Sequence, residues 1–249
     1  MYQIALLFMN FMLFSLFGYI AEMTMCIIVD HKITNRGFLC GPIIPIYGVG
    51  SLFLTFLLEP FKSNPFIIFF FGIIITTTLE YITSYLLEKI FHNRWWDYSS
   101  NSFNINGRIC LLNSSLFGIG SLAIIYLANP IFRDFLEQMN HVALIICAII
   151  LFIIFTFDVI YSCVVAYNLR NQIIIFSELK NEKLARLPGM LERMIKKRVK
   201  QIKRYPNRLL KAFPYLQKSN EKEFAIIKKI QETKKTKLKS KKKKKSRKK

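Results

Sequence analysis

Residues 65–88 read PFIIFFFGIIITTTLEYITSYLLE, an apolar run that carries one carboxylate, Glu80, within it and ends at a second, Glu88. A helix that crosses a bilayer takes about 20 mostly apolar residues, so this run is long enough. Glu22 and Asp158 occupy comparable positions in two other apolar runs. Because a carboxylate in hydrocarbon costs on the order of 3 kcal/mol, each is expected to face a protein interior or a wet cavity. The sequence therefore predicts a membrane protein with a polar interior.

The composition also indicates a membrane protein. The chain of 249 residues is 53% hydrophobic and has a mean hydropathy of +0.31. Soluble domains of this length are rarely so apolar. Five apolar runs predict membrane-spanning helices at about 4–29, 42–58, 65–87, 109–128 and 141–166. The predicted fold class is all-α, a polytopic membrane protein with a transmembrane domain of five helices over residues 1–167.

Charge divides the chain into two parts. Residues 1–167 hold seven Lys and Arg against nine Asp and Glu, whereas residues 168–249 hold 29 against six. We interpret residues 168–217 as a basic amphipathic cytoplasmic helical region and residues 218–249 as a disordered Lys-rich tail. Both suit an anionic lipid surface. Nucleic acid is a much less favoured partner for this basic run.

The positions of Lys and Arg predict the orientation in the membrane. The loops at 30–41 and 88–108 and the tail are basic, while Lys62 and Arg133 are the basic residues of the other two loops. We therefore expect a multi-pass protein of the cell membrane, with its N-terminus outside and its C-terminus in the cytoplasm. The first apolar run is too long for a secretory signal and is expected to be retained as a span.

The sequence contains an apparent internal repeat at a shift of 70 residues. Residues 37–52 and 107–122 share six identities in 16 positions, namely three glycines, a cysteine, a serine and a leucine. We interpret the repeat as a two-helix unit used twice in the same orientation. Transporters built from such parallel repeats place their sites between the repeats. Glu22 and Glu80 are then equivalent if the second loop gained about 12 residues.

The segment NRGFLCGPIIPIYG, residues 35–48, is rich in Gly and Pro and is expected to be irregular. Pro42 suits the first turn of a helix, and Pro45 follows one turn later. Non-helical backbone at membrane depth is tolerated where protein or a cavity covers it. Its freed amides are candidates to hold an anion and its freed carbonyls a cation; the alternative is a kink that only turns the chain. The candidate binding residues here are Arg36, Gly37, Gly41, Pro42, Pro45 and Tyr47.

A second polar segment follows the third span. The loop at 88–108 is dense in donors and acceptors, and it is expected to form one polar vestibule with the Gly- and Pro-rich segment. Arg36 or Arg108 is expected to reach inward to pair with Glu22 and Glu80; otherwise these carboxyls are protonated or bind a cationic group. The aromatic residues are alternatively interfacial anchors. The further candidate binding residues are Glu88, Trp96, Asp97, Tyr98, Asn104 and Asp158.

Several of these motifs together match those of a known family. They are Asn35-Arg36-Gly37-Phe38, Gly41-Pro42, Pro45-Ile46-Tyr47-Gly48, Glu80, Thr83-Ser84, Glu88-Lys89, Trp95-Trp96-Asp97-Tyr98, Phe103-Asn104 and Gly107-Arg108-Ile109-Cys110. Over about residues 10–215 the chain resembles the type IV ABC-transporter permease family, often called CmpB. Residues 208–214 are similar to the C-terminal pattern of that family. The resemblance implies a permease and carries over no substrate-binding or catalytic residue.

Three classes of function are consistent with the sequence. The first is a transport permease, which as an ABC transporter needs a separate ATPase subunit, because the chain has no GxxxxGK[ST] phosphate loop. Five spans are few for a pore, so a homo-oligomer or a hetero-complex is expected. The second is a non-transporting scaffold or sensor that binds anionic lipid and a partner protein.

The third class, an intramembrane enzyme, is the least favoured. Glu80, Glu88, His92, Asp97 and Tyr98 are its candidate acids, bases or metal ligands. The sequence contains neither HExxH nor GxSxG. The five cysteines are scattered without a CxxC pair and are interpreted as small apolar side chains. We therefore expect no enzymatic activity, no catalytic residue, no metal and no cofactor.

Overall fold

The computed structural model describes residues 1–31, 35, 37–92 and 94–181. Its helices are α1 (Tyr2–Asp30), α2 (Pro45–Leu58), α3 (Pro65–Phe91), α4 (Leu111–Ala123), α5 (Asn129–Glu137) and α6 (His141–Asn181). A 3-10 turn at Glu59–Phe61 follows α2, and a π-helical turn at Ile124–Ala128 joins α4 to α5 without a break. Two short strands, β1 (Asn104–Ile105) and β2 (Ile109–Cys110), pair antiparallel between α3 and α4.

The described part of the chain has four helices that are long and apolar enough to cross a membrane. They cover Tyr2–Ile28, Pro65–Phe91, Leu111–Glu137 and His141–Tyr167. The helix at Pro45–Phe61 is apolar but shorter, and it corresponds to the predicted second span at 42–58. Large apolar side chains such as Phe56, Phe66 and Phe157 are mostly exposed, as a surface that faces lipid requires. The predicted helical membrane fold is thus confirmed for four spans.

The helices alternate in direction. We call the end at which α1 begins the Tyr2 end; there the ring of Tyr2 lies 4.1 Å from that of His141, the first residue of α6. Glu59, just after α2, contacts Arg133 of α5 at the same end. Helices α1, α3 and α6 therefore run away from the Tyr2 end, and α2 and α4–α5 run toward it. We call the opposite end, which holds Trp95, the Trp95 end.

Helix α2 is short because the chain enters the bundle before it becomes helical. The backbone amide of Ile44 donates to the carbonyl oxygen of Ser15, halfway along α1, at 3.1 Å. The helix begins at Pro45, whose fixed φ and missing N–H suit a first turn. The prediction that Pro42 occupies the first turn is therefore wrong. The residues between Gly37 and Ile44 stay non-helical beside the second half of α1.

The fourth span is longer than the predicted 109–128, because the helix continues to Glu137. A proline inside a regular α-helix removes one hydrogen bond and clashes with the preceding turn. Here Pro130 lies in the first turn of α5, directly after the π-helical turn, so the helical path continues through it. Helix α3 also extends four residues beyond the predicted 87, to Phe91, and α6 continues beyond the predicted 166 to Asn181.

Glycines allow α2 to pack closely on α1. A Cβ on Gly48 would lie 2.6 Å from the carbonyl oxygen of Phe11 and would overlap the hydroxyl of Ser15. Gly18 of α1 similarly leaves room for the ring of Tyr47. Small residues of this kind let membrane helices approach until their backbones touch side chains of the partner helix.

Helices α3 and α4 make the corresponding contact. A Cβ on Gly118 of α4 would lie 2.7 Å from Ile73 and 2.8 Å from Phe69 of α3. Phe69 and Ile73 lie 58 residues after Phe11 and Ser15, the α1 residues that surround Gly48. Glu80 likewise lies 58 residues after Glu22. The apparent sequence repeat therefore has a structural counterpart in two closely packed helix pairs.

The C-terminal predictions fall largely outside the described residues. Helix α6 accounts for residues 168–181 of the predicted basic helical region 168–217. The rest of that region and the predicted Lys-rich tail at 218–249 lie outside the described residues.

We expect Gly48→Ala to lower the free energy of unfolding by about 1–3 kcal/mol, because its methyl group has no room against α1. Gly120→Ala is the matched control, since a Cβ on Gly120 meets nothing within 4 Å. There, helix propensity alone predicts a gain of up to about 1 kcal/mol. Unfolding midpoints of the purified variants in detergent measure both effects. Equal stabilities of the two variants would contradict the close α1–α2 packing.

Candidate functional site

Two carboxylates and two phenols meet inside the bundle. The hydroxyl of Tyr47 donates to Oε1 of Glu22 at 2.6 Å, and the hydroxyl of Tyr98 donates to Oε1 of Glu80 at 3.3 Å. We call these four residues the carboxylate cluster. Glu22 and Glu80 come from different helices, α1 and α3, and are close enough to interact electrostatically. The structure therefore brings together two of the three intramembrane acids that the sequence singles out.

Local structure explains how each phenol reaches its carboxylate. Tyr47 lies in the first turn of α2, and its ring packs against Gly18, one turn before Glu22 in α1. Tyr98 lies in the loop after α3, where its backbone amide donates to the carbonyl oxygen of Gly107 at 2.8 Å. The hairpin of β1 and β2 thus positions the second phenol over Glu80.

The carboxylate cluster has more hydrogen-bond acceptors than donors. Glu80 is 6% exposed, and its Oε2 is buried without a hydrogen-bond partner. Within the described residues, no Lys, Arg or His forms an ion pair with Glu22 or Glu80. A buried oxygen that accepts nothing is costly, so a donor or a cation at this position would stabilise the site.

The phenol of Tyr98 is fixed as a donor. Burial, and then the nearby carboxylates of Glu80 and Glu22, raise the pKa of Tyr98 well above its ordinary value. A phenolate beside two carboxylates would add negative charge where there is already too much. Tyr98 therefore keeps its proton and donates it in a hydrogen bond to Glu80.

Arg108 pairs with a different carboxylate from the one expected. Its Nη2 lies 2.8 Å from Oε2 of Glu88, and its Nη1 donates to the hydroxyl of Ser84 at 3.2 Å. The guanidinium also lies over the rings of Tyr81 and Tyr85, at 5.7 and 5.5 Å. The expectation that Arg108 pairs with Glu22 or Glu80 is therefore wrong. Arg36, the alternative partner, lies outside the described residues.

Sequence reasoning missed the partners of Arg108, although a signal was present. At the level of sequence, Ser84 stands out only within a family motif, and no role is assigned to Tyr81 or Tyr85. The two tyrosines are spaced i and i+4 on α3 and so lie on one face, beside the face of Glu80, Ser84 and Glu88. Two aromatic rings next to a line of acids are a platform on which a guanidinium stacks.

The predicted loop residues mostly build the hairpin. Trp96 Nε1 donates to the carbonyl oxygen of Arg108 at 3.0 Å, and Asn104 Oδ1 accepts from the amide of Gly107 at 3.0 Å. Asp97 accepts from the backbone amide of Ser99 at 3.0 Å and lies 3.4 Å from Nη1 of Arg94. These side chains hold the loop that carries Tyr98.

Asp158 binds the chain's own backbone. Its Oδ1 accepts the amide of Cys40 at 2.9 Å, and its Oδ2 accepts the amide of Gly41 at 2.8 Å. Ser162, one turn later on α6, donates to Oδ1 at 3.2 Å. The freed amides of the irregular segment thus do hold an anion, and this anion is a side chain of α6. Asp158 lies outside the carboxylate cluster.

The other candidates of the irregular segment support this arrangement. Gly37 donates its amide to Oδ1 of Asn35 at 2.8 Å, and Pro42 follows directly after the amides that Asp158 binds. Pro45 begins α2 and so sets the position of Tyr47. Within the described residues, no group of three or more His, Cys, Asp or Glu side chains could hold a metal ion.

Comparison with known proteins gives one match. The sequence model of a family described as "Putative ABC-transporter type IV" matches residues 9–163, which include the carboxylate cluster, the hairpin and Asp158. No curated protein and no solved structure matches the chain.

We expect Asp158→Asn to lower the free energy of unfolding by about 3 kcal/mol, because one of two charge-assisted hydrogen bonds becomes a contact between two donors. Asp134→Asn on the exposed side of α5 is the matched control and should change stability by less than about 0.5 kcal/mol. Thermal unfolding of both variants in detergent measures the difference. An Asp158→Asn protein as stable as the control would show that Asp158 does not hold the segment.

Proposed function

Because the chain belongs to the family of Putative ABC-transporter type IV proteins, we propose that it is the membrane-embedded permease subunit of an ABC transporter. We further propose that the carboxylate cluster binds a cationic group of the transported substrate. The observation that supports this most is the pairing of Glu22 with Glu80 between two helices. Both carboxylates have phenol donors, and neither has a basic partner among the described residues.

The electrostatics of the cluster favour a cation. Two carboxylates near each other in a medium of low dielectric constant repel, and a positive charge between them interacts with both. The buried Oε2 of Glu80 is available to such a group because nothing in the described structure donates to it. The rings of Tyr47 and Tyr98 add apolar walls and fix the carboxylate oxygens to which they donate.

The proposed topology has five crossings, with α2 as the fifth. Helices α1 and α3 both begin at the Tyr2 end, so the chain has to return to that end between them, and α2 is the segment that does so. The non-helical residues before Pro45 cover the part of the membrane thickness that the short helix α2 does not span. Lys89, Arg94 and Arg108 lie at the Trp95 end, which supports placing that end in the cytoplasm and the N-terminus outside.

An apolar cluster separates part of the carboxylate cluster's surroundings from the Tyr2 end. On that side of the carboxylate cluster, Leu54, Leu58, Ile68 and Ile125 form a buried apolar cluster between α2, α3 and the π-helical turn. A permease that alternates its access would have to separate these residues. Their contacts with one another are apolar, and the Glu59–Arg133 ion pair at the same end would have to break as well if α2 moved away from α5.

The Trp95 end supports the proposal of partner proteins. Phe103, directly before β1, is 81% exposed, and Ile105 in β1 is 56% exposed. Exposed apolar side chains on a polar loop are typical of contact surfaces. An ATPase subunit on the cytoplasmic side, and a second membrane subunit of the same or another kind, are the proposed partners. The basic residues after 181 support an additional attraction to anionic lipid.

The scaffold or sensor remains the second candidate, and one observation favours it. Asp158 and Glu88, which the sequence offered as binding residues, are bound by the chain's own amides and arginines. If Glu22 and Glu80 are likewise only structural, no residue of the described interior needs a substrate. The cluster is therefore the point at which the two candidates differ.

We expect small organic cations to stabilise the purified chain through the carboxylate cluster. The probes are methylammonium and tetramethylammonium chloride, compared at constant sodium concentration and constant ionic strength in a thermal unfolding assay. A probe present at about 100 times its Kd stabilises the native state by about 2.7 kcal/mol. Glu22→Gln combined with Glu80→Gln should abolish the shift, and Asp134→Asn should retain it.

The results separate the candidates. A cation effect that survives in the double glutamine variant would place binding elsewhere and overturn the proposed site. No cation effect, together with a double variant of higher stability, would favour the scaffold. For the permease itself, membrane vesicles that contain the chain and its ATPase should take up the bound cation only when ATP is supplied. Uptake by the purified chain alone, driven by a proton gradient, would indicate secondary transport instead.

A further inference from the structure

A polar cavity lies at the Tyr2 end, away from the carboxylate cluster. Its volume is about 120 Å³. It is a partly open cavity lined by residues of α1, the end of α2 and α5. The polar and charged residues that line it are Asn10, Thr55, Glu59, Asn129, Arg133 and Glu137.

Three oxygen atoms of the lining residues are buried and have no hydrogen-bond partner. They are Oδ1 of Asn10, Oγ1 of Thr55 and Oδ1 of Asn129. Asn129 is only 2% exposed. Its Nδ2 donates to Oε2 of Glu59 at 2.9 Å, which fixes the orientation of the amide and leaves Oδ1 as an acceptor without a donor. All three orphan atoms are therefore oxygens, from three different helices.

The charges of the residues that line the cavity also favour a bound positive group. Glu59 and Glu137 contribute two negative charges and Arg133 one positive charge, so the lining is negative overall. The ion pairs are long, at 3.5 Å from Arg133 to Glu59 and 3.8 Å from Arg133 to Glu137. Glu59, with a side chain that is 28% exposed, is the most buried of these charges, and a positive group beside it would also satisfy the orphan acceptors.

We propose that this cavity is a binding site for a small inorganic cation of the alkali-metal class. The Asn10, Thr55 and Asn129 oxygens are its ligands, and the Glu59 carboxylate supplies charge next to it. Hard cations take oxygen ligands of this kind, namely amide carbonyl, hydroxyl and carboxylate. The volume holds one such ion with two or three waters, at about 30 Å³ for each water.

The site is reachable from the surface of the bundle. An open depression of about 720 Å³ shares Thr55 and Glu59 with the cavity and is also lined by Pro60, Lys62 and Ser63. The ion therefore has a route that does not pass the carboxylate cluster. The proposal is independent of the permease proposal, because none of its ligands belongs to that cluster.

The test is a sodium-dependent thermal shift of the purified full chain in detergent. Sodium chloride is titrated against choline chloride at constant ionic strength, both in the wild-type chain and in the Glu22→Gln and Glu80→Gln double variant, where choline, a quaternary ammonium ion, no longer has the carboxylate cluster to bind. We expect the unfolding midpoint to rise with sodium and to saturate. Thr55→Val, which keeps the shape of the side chain and removes the oxygen, should raise the half-saturating sodium concentration by about tenfold or more. Asn10→Leu should do the same.

Controls keep the outcomes distinct. Thr156→Val is the matched control, because the Thr156 hydroxyl donates to the carbonyl oxygen of Phe152 in its own helix; it should leave the sodium dependence unchanged. The Glu22→Gln and Glu80→Gln double variant should also retain it. A Glu22→Gln and Glu80→Gln double variant that responds equally to choline and sodium overturns the site. So does a Thr55→Val protein that keeps the wild-type sodium dependence, and this variant decides the question if Asn10→Leu fails to fold.

Discussion

The hydrogen bonds from two backbone amides to the Asp158 carboxylate are the interaction on which the rest of the arrangement depends. Backbone N–H groups at membrane depth need a partner, and Cys40 and Gly41 are not in a helix that could provide one. Because α6 supplies that partner, the chain can run without helical structure along half of α1 and begin α2 late. The late start places Tyr47 opposite Glu22. The Asp158 carboxylate thus holds the segment before Tyr47, and Tyr47 is the hydrogen-bond donor to the Glu22 carboxylate.

The sequence predicted those features that local rules decide. It did not predict the features that depend on contacts between residues far apart in the chain. Apolar length predicted the four long helices, and helical spacing placed Glu22 and Glu80 toward the interior. The partner of Asp158 is 117 residues away from it in sequence, so no local pattern could assign it. Arg108 was expected beside Glu80, but the Tyr81 and Tyr85 rings and Glu88 surround it more completely. Favourable positions for a guanidinium depend on side chains that only the fold brings together.

The repeat has a symmetric part and an asymmetric part. The glycine contacts of Gly48 and Gly118 correspond, and so do the positions of Glu22 and Glu80. The phenols do not correspond, because Tyr47 comes from a helix and Tyr98 from the loop that carries the hairpin. The additional residues of the second unit therefore form the element that closes over the cluster. The two units thus give a site whose halves each contribute one carboxylate but receive their phenol donors from different kinds of element.

The π-helical turn at Ile124–Ala128 has a consequence for how the fourth span is read. Over the five residues of this wide turn the chain winds about as far as over four residues of a regular α-helix, so the additional residue leaves the faces on either side in register. Asn129 can therefore face Glu59 on the same span whose earlier residues pack on α3. A single-codon deletion within the turn would leave both contacts possible, whereas one elsewhere in the span would rotate everything beyond it by about 100°.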